Sequence, residues 1–289
     1  MTAEIADLEA RIVAIERRLA ALEGEKAETE RKAEVRSTTP RGDGVAAAAS
    51  THIGRVLLIF GGAYLLRAIT EYGFVPTALG LLLGASYAVF WLAMAWRRGG
   101  VEAERIKAEF FGGTSVVLCL PLLYEATTHF ALLPGTMAVV ALAVYWALAL
   151  GTATRHRLTV LAWMATVGSI ALAIGLLVAA RAAVPVAIFL IVLGIGSLWA
   201  VYLRDWLGLH WLGALGANIG VGALVALSLS DRWPIPPSLA FGFAVVLLLS
   251  YLANITFHTH VRGRLVNMLE TAQTAVAGLI VLAAAIVAV

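Results

Sequence analysis

From Ile53 onward the chain alternates long apolar runs with short polar turns. The runs fall at about 53–71, 77–96, 111–130, 135–153, 158–179, 184–203, 207–228, 237–257 and 270–289. Each is close to the ~20 residues that a ~30 Å hydrocarbon layer requires at 1.5 Å per residue. This pattern predicts an all-α fold: residues 51–289 form a polytopic transmembrane helical bundle of about nine spans. Alternate turns carry Pro76, Pro134, Pro185 and Pro236, spaced 58, 51 and 51 residues apart. Proline starts a helix at little cost, because its missing N–H would be unpaired there anyway. Taken as closures of helical hairpins, the prolines give four hairpins plus one helix ending at Val289. With that odd number, either the last helix packs alone or the chain is a shortened version of a longer array.

Residues 1–25 have a different period. Ile5, Leu8, Ile12, Ile15, Leu19 and Leu22 follow spacings of 3, 4, 3, 4 and 3, which place them at heptad positions a and d. Glu9, Glu16 and Glu23 occupy e, and Arg11 and Arg18 occupy g. In a parallel pair, Arg11 faces Glu16 of the other chain and Arg18 faces Glu23, whereas an antiparallel pair sets like charges together. The pattern predicts a coiled-coil helix that self-associates in parallel, despite a mismatch of Glu4 opposite Glu9. The alternative is an amphipathic helix that packs on its own protein. So short a coil is weak by itself, and tethering in a membrane raises its effective concentration. Residues 26–50 lose the period and become charged, then rich in Ser, Thr, Pro and Gly, as a flexible linker does.

Composition explains the charge balance. Hydrophobic residues make up 61% of the chain and charged residues 13%, about half the charge of a soluble globule. Of the 18 acids, ten precede residue 50, so the net charge of +3 reflects bases flanking membrane runs rather than a nucleic-acid surface. Of the 21 Lys and Arg residues, only Arg67, Arg181 and Arg232 fall on the side opposite the N-terminus. The excess of bases in cytoplasmic loops places the N-terminus in the cytoplasm and, with nine spans, the C-terminus outside. Trp96, Trp206 and Trp211 fall toward the cytoplasmic ends, as interfacial anchors. The N-terminus has no basic stretch followed by an apolar core, which argues against a cleaved signal peptide.

Small residues mark close helix approaches. Gly80 and Gly84 have GxxxG spacing, as do Gly216 and Gly220, and the seventh run adds Gly208, Gly213 and Gly222. That run is expected to be central, with Asn218 able to bond a neighbour.

Motifs for hydrolysis, nucleotide binding or metal-dependent catalysis are absent, and no enzyme, cofactor or metal site is expected. The lone Cys119 excludes an intramolecular disulfide. His258 and His260 are two apart, about 200° around a helix, and therefore cannot share a metal. Ionisable residues gather toward the outer ends of the runs: Arg67, Glu71, Glu125, His129, Arg181, Asp231 and Arg232. Arg67 and Glu71 share a helical face, as do Glu125 and His129. A carboxylate in an apolar run requires a partner, and Glu125 has two candidates, His129 and Arg67. Arg67, Glu71, Glu125 and His129 either form an outward-facing polar pocket for a polar solute, a proton or a lipid head group, or act as snorkelling and hairpin-locking charges.

The heptad coil, the charged linker and the run IGRVLLIFGGAYLLRAITEYGFVPTALGLLLG together resemble a family of large bacterial multi-pass membrane proteins, a domain of unknown function. The resemblance is clearest over about residues 50–100, and the family's members are usually much longer. It implies a bacterial inner-membrane protein with many helices, and it carries no site residues. The sequence as a whole reads as an integral inner-membrane protein in the lipid bilayer. Its expected role is structural or assembly work as a homo-oligomer joined by the coiled coil. A small-solute transporter or channel using the outer charges is the alternative.

Overall fold

The computed structural model describes residues 67–204, 208–262 and 268–288, with isolated positions at 54, 61, 62, 64 and 65. The chain divides into Met1–Tyr64 and Leu65–Val289, and the architecture below belongs to the second unit. The heptad residues Ile5, Leu8, Ile12, Ile15, Leu19 and Leu22, the linker at 26–50 and most of the first expected span lie outside the described residues.

Residues 67–71 are helical and lead through a turn at 72–75 into α1 (Thr77–Gly99). A short 3-10 turn, Glu102–Glu104, follows. Then come α2 (Arg105–Thr128), α3 (Gly135–His156), α4 (Thr159–Ala179), α5 (Ala183–Arg204), α6 (Leu209–Ser228), α7 (Pro237–Arg262) and α8 (Met268–Ala288). The described residues hold no strand. All eight helices are long and apolar enough to cross a membrane. They also expose large apolar side chains, among them Leu82, Phe90, Val144, Leu279 and Ile286. Water would not tolerate so much exposed hydrocarbon, whereas lipid does. The protein is an all-α, multi-pass integral membrane protein.

Two boundaries differ most from expectation. Helix α2 begins at Arg105 rather than near 111, and α7 continues to Arg262 rather than 257. Arg105, Lys107 and Glu109 end the apolar run without ending the helix, because long charged side chains are good helix formers.

Packing gives the bundle a different grouping from the one the prolines suggest. The proline turns do join consecutive helices: Pro76 and Pro134 cap α1 and α3, Pro185 lies in the first turn of α5, and Pro236 precedes α7. Among consecutive helices, however, the more extensive contacts are between partners closed at the other end, α1 with α2, α3 with α4, α5 with α6 and α7 with α8, while α4 packs on α2 at least as extensively as on α3. The last helix therefore does not pack alone. It lies against α7 and α6.

Helix α5 holds the bundle together. Its Val186, Phe189, Leu190 and Leu193 join one apolar core built mainly from α2, α3 and α4, while Ala183, Ala187 and Ile191 join a second built from α6, α7 and α8. Of the positions Ala183–Ala200, 61% are buried, against 44% in α6. The sixth expected span is thus more deeply buried than the seventh. The glycines of α6 explain how the two approach. A Cβ on Gly194 would lie 3.2 Å from the Gly213 carbonyl oxygen, so the two backbones touch. Gly216 meets Ile170 of α4, and Gly220 meets Leu190 of α5. The Oδ1 of Asn218 is buried without a hydrogen-bond partner among the described residues, so the expected bond from this atom is not formed.

Polar groups inside the bundle are mostly small and paired. The Ser115 hydroxyl of α2 donates to the Ala88 carbonyl of α1 at 2.7 Å. That uses its only proton, so the Tyr145 hydroxyl of α3 donates to Ser115 at 3.0 Å. Tyr251 of α7 donates to the Ala214 carbonyl of α6 at 3.1 Å. These contacts fix the rotation of neighbouring helices where apolar packing in lipid discriminates poorly.

Candidate functional site

Ionisable side chains gather at both ends of the bundle. At the proline end, Arg67 precedes the turn into α1, and Glu125 lies in the last turn of α2. The Arg67 guanidinium uses two nitrogens on two acids: Nε meets Glu71 Oε1 at 2.9 Å, and Nη1 meets Glu125 Oε1 at 2.7 Å. The first is an i,i+4 pair along one helix, and the second ties that helix to α2. Between the two candidate partners for Glu125, the structure selects Arg67. His129 stands one turn further on, where its ring packs edge-on against Phe130 at 4.9 Å. No hydrogen bond or ion pair joins its side chain to Glu125 among the described residues. Arg181, Asp231 and Arg232 lie in other turns at this end and make no ion pair with the Arg67 group among the described residues.

Because α2 ends at Thr128, Glu125 lies only about 4.5 Å along the axis from its end. Its side chain is 25% exposed, against 46% for Arg67 and 43% for Glu71. The group is therefore a partly solvated ion-pair triad at a helix end. It can hold a polar or charged group by exchanging one of its two carboxylates for a ligand. Equally, it can serve as a tie between helices.

The opposite end carries a constellation the sequence did not single out. Glu109 of α2 accepts two backbone hydrogen bonds, from Val160 N–H at 3.2 Å and Leu161 N–H at 2.8 Å. Those amides belong to the first turn of α4, which lack intrahelical partners and carry the positive end of the helix dipole. One turn earlier on α2, the Arg105 guanidinium donates to the Arg157 carbonyl at the end of α3. An acid thus holds the start of one helix and a base holds the end of another, both from the same face of α2. The turn between them is tight, and Arg157 takes the left-handed conformation at φ 59° to close it. Beside it, Arg98 donates to both oxygens of Glu104 at 2.9 Å, with Lys107 at 3.4 Å. The His156 ring lies edge-on to Trp96 at 4.9 Å, and Gly99 leaves the room it occupies, since a Cβ there would come within 2.7 Å of the His156 Cβ. Glu109 could have been suspected from its i,i+4 spacing to Arg105. Its partners, however, are backbone amides, which leave no mark in a sequence.

Among the described residues, no three His, Cys, Asp or Glu side chains group as metal ligands. His260 lies on α7, as does the backbone of His258. Comparison with known proteins finds no matching family model, no matching curated protein and no matching solved structure.

Proposed function

We propose that this multi-pass membrane protein is a structural or assembly component of a bacterial inner membrane, self-associating in parallel through Ile5, Leu8, Ile12, Ile15, Leu19 and Leu22. The observation that carries this reading is how the described charges are used. Arg67 pairs with Glu71 and Glu125 across two helices, while Glu109 and Arg105 hold helix ends. Charges spent on binding helices together suit a rigid membrane body that presents a cytoplasmic handle. The N-terminus is cytoplasmic in this reading, supported by the bases at the end opposite the prolines and by Trp96 and Trp211 there, 48% and 43% exposed. The resemblance over about residues 50–100 supports the bacterial inner membrane as the location.

The handle is tested on the full chain in detergent or nanodiscs by mass photometry. Deleting residues 1–25, or making Ile12→Asp with Leu19→Asp, is expected to reduce the oligomer to monomer. An unchanged oligomeric state in both variants removes the proposal.

A second reading, a small-solute transporter or channel, draws on the exposure of Arg67 and Glu71, which leaves the triad open to a polar solute. Under it, Glu125→Gln and Arg67→Gln abolish solute flux in proteoliposomes while leaving the fold intact. Wild-type behaviour of both variants in stability and in flux of every solute tried counts against it.

A further inference from the structure

We propose that the basic end of α1, α2 and α3 binds the phosphate of an anionic glycerophospholipid, with Arg97 and Arg157 as its ligands. Three contacts bring this end together. The Trp96 ring of α1 meets His156 of α3, Gly99 packs on the same histidine, and Arg105 of α2 holds the Arg157 carbonyl. Arg97 therefore follows Trp96 and Arg157 follows His156, the two rings in contact, on helices that meet there.

The local charges are unevenly used. Glu104 is occupied by Arg98 and Lys107, and Glu109 by the amides of Val160 and Leu161. Glu102 is exposed and makes no ion pair with either arginine among the described residues. Arg97 and Arg157 are exposed, and neither side chain enters a hydrogen bond or ion pair among the described residues. Two guanidinium forks beside further bases make a site for an anion with several oxygens, and phosphate suits that fork geometry. The surroundings favour a lipid over a soluble phosphate. Trp96 precedes Arg97 and is 48% exposed, Ile106 follows Arg105 and is 83% exposed, and Val160, three residues after Arg157, is 54% exposed. They offer apolar surface to acyl chains at the depth where an interfacial tryptophan sits.

The test uses the full chain in detergent and native mass spectrometry with added phosphatidylglycerol, phosphatidylcholine or inorganic phosphate. Wild type is expected to bind phosphatidylglycerol in preference to phosphatidylcholine. The double variant Arg97→Gln, Arg157→Gln should bind phosphatidylglycerol roughly 30-fold more weakly. The control Arg181→Gln, Arg232→Gln, at the opposite end, should bind as wild type does. Equal binding by the arginine double variant and wild type overturns the proposal, as does equal loss in the control. Displacement of the lipid by millimolar inorganic phosphate overturns the lipid assignment. On wild-type protein, phosphatidylglycerol vesicles should protect Arg97 and Arg157 from phenylglyoxal relative to phosphatidylcholine vesicles, and no protection would again refute the site.

Discussion

The two ends of the bundle use charge in opposite ways. At the proline end, side chain meets side chain: Arg67 bridges Glu71 and Glu125, and all three are partly exposed. At the basic end, a side-chain pair of Arg98 and Lys107 with Glu104 stands beside contacts of another kind, in which side chain meets backbone: Glu109 takes two amides of α4, and Arg105 takes a carbonyl of α3. The first kind of contact is cheap to lose, because water and lipid head groups can replace a missing partner. The second costs more, because removing Glu109 takes two charge-assisted bonds at once from the first turn of a helix, one of them, to Leu161 N–H, part-buried. Similar residue types therefore contribute quite different stabilities, according to what they touch.

The difference can be broken in order of size. Glu109→Ala should destabilise the protein by about 2–3 kcal/mol, since it strips two charge-assisted bonds from a helix start, as read by thermal unfolding in detergent. Glu109→Gln should recover part of that loss, because its amide oxygen still accepts one bond. Next, Ser115→Ala should cost about 1–2 kcal/mol by leaving the Tyr145 hydroxyl unpaired in the interior. A smaller effect, at most about 1 kcal/mol, is expected for Arg67→Gln, because the pairs it breaks are partly exposed. Smallest is Glu71→Gln, expected within about 0.5 kcal/mol of wild type, since Arg67 keeps Glu125. If Arg67→Gln instead costs more than Glu109→Ala, the contrast between the two ends is wrong.

The helices themselves were legible because a membrane span needs a long unbroken apolar run, and a chain that folds in water rarely carries one. Their ends were less so. The start of α2 is hidden by Arg105, Lys107 and Glu109, which read as loop residues yet continue the helix. The pairing of helices was not legible at all. Lipid is as apolar as leucine, so a run of Leu, Val and Ala does not reveal which face meets protein. Only the glycines gave a hint, and they pointed to α6 where the more deeply buried helix is its partner α5. The proline-end triad was half legible: a carboxylate in an apolar run demands a cation, but spacing alone could not choose between His129 and Arg67.

The choice of turn across which the helices pair also bears on how the bundle is built. The connection between α3 and α4 spans only two residues, Arg157 and Leu158. The partner of α3 therefore leaves the ribosome directly after it. The same holds, with slightly longer connections in sequence, for α1 with α2, α5 with α6 and α7 with α8. Contacts between near neighbours in sequence form early and cost little chain entropy. Synthesis thus delivers the bundle as a series of consecutive pairs, with the contacts across the proline turns and the contact of α4 with α2 formed as each new pair docks on the last.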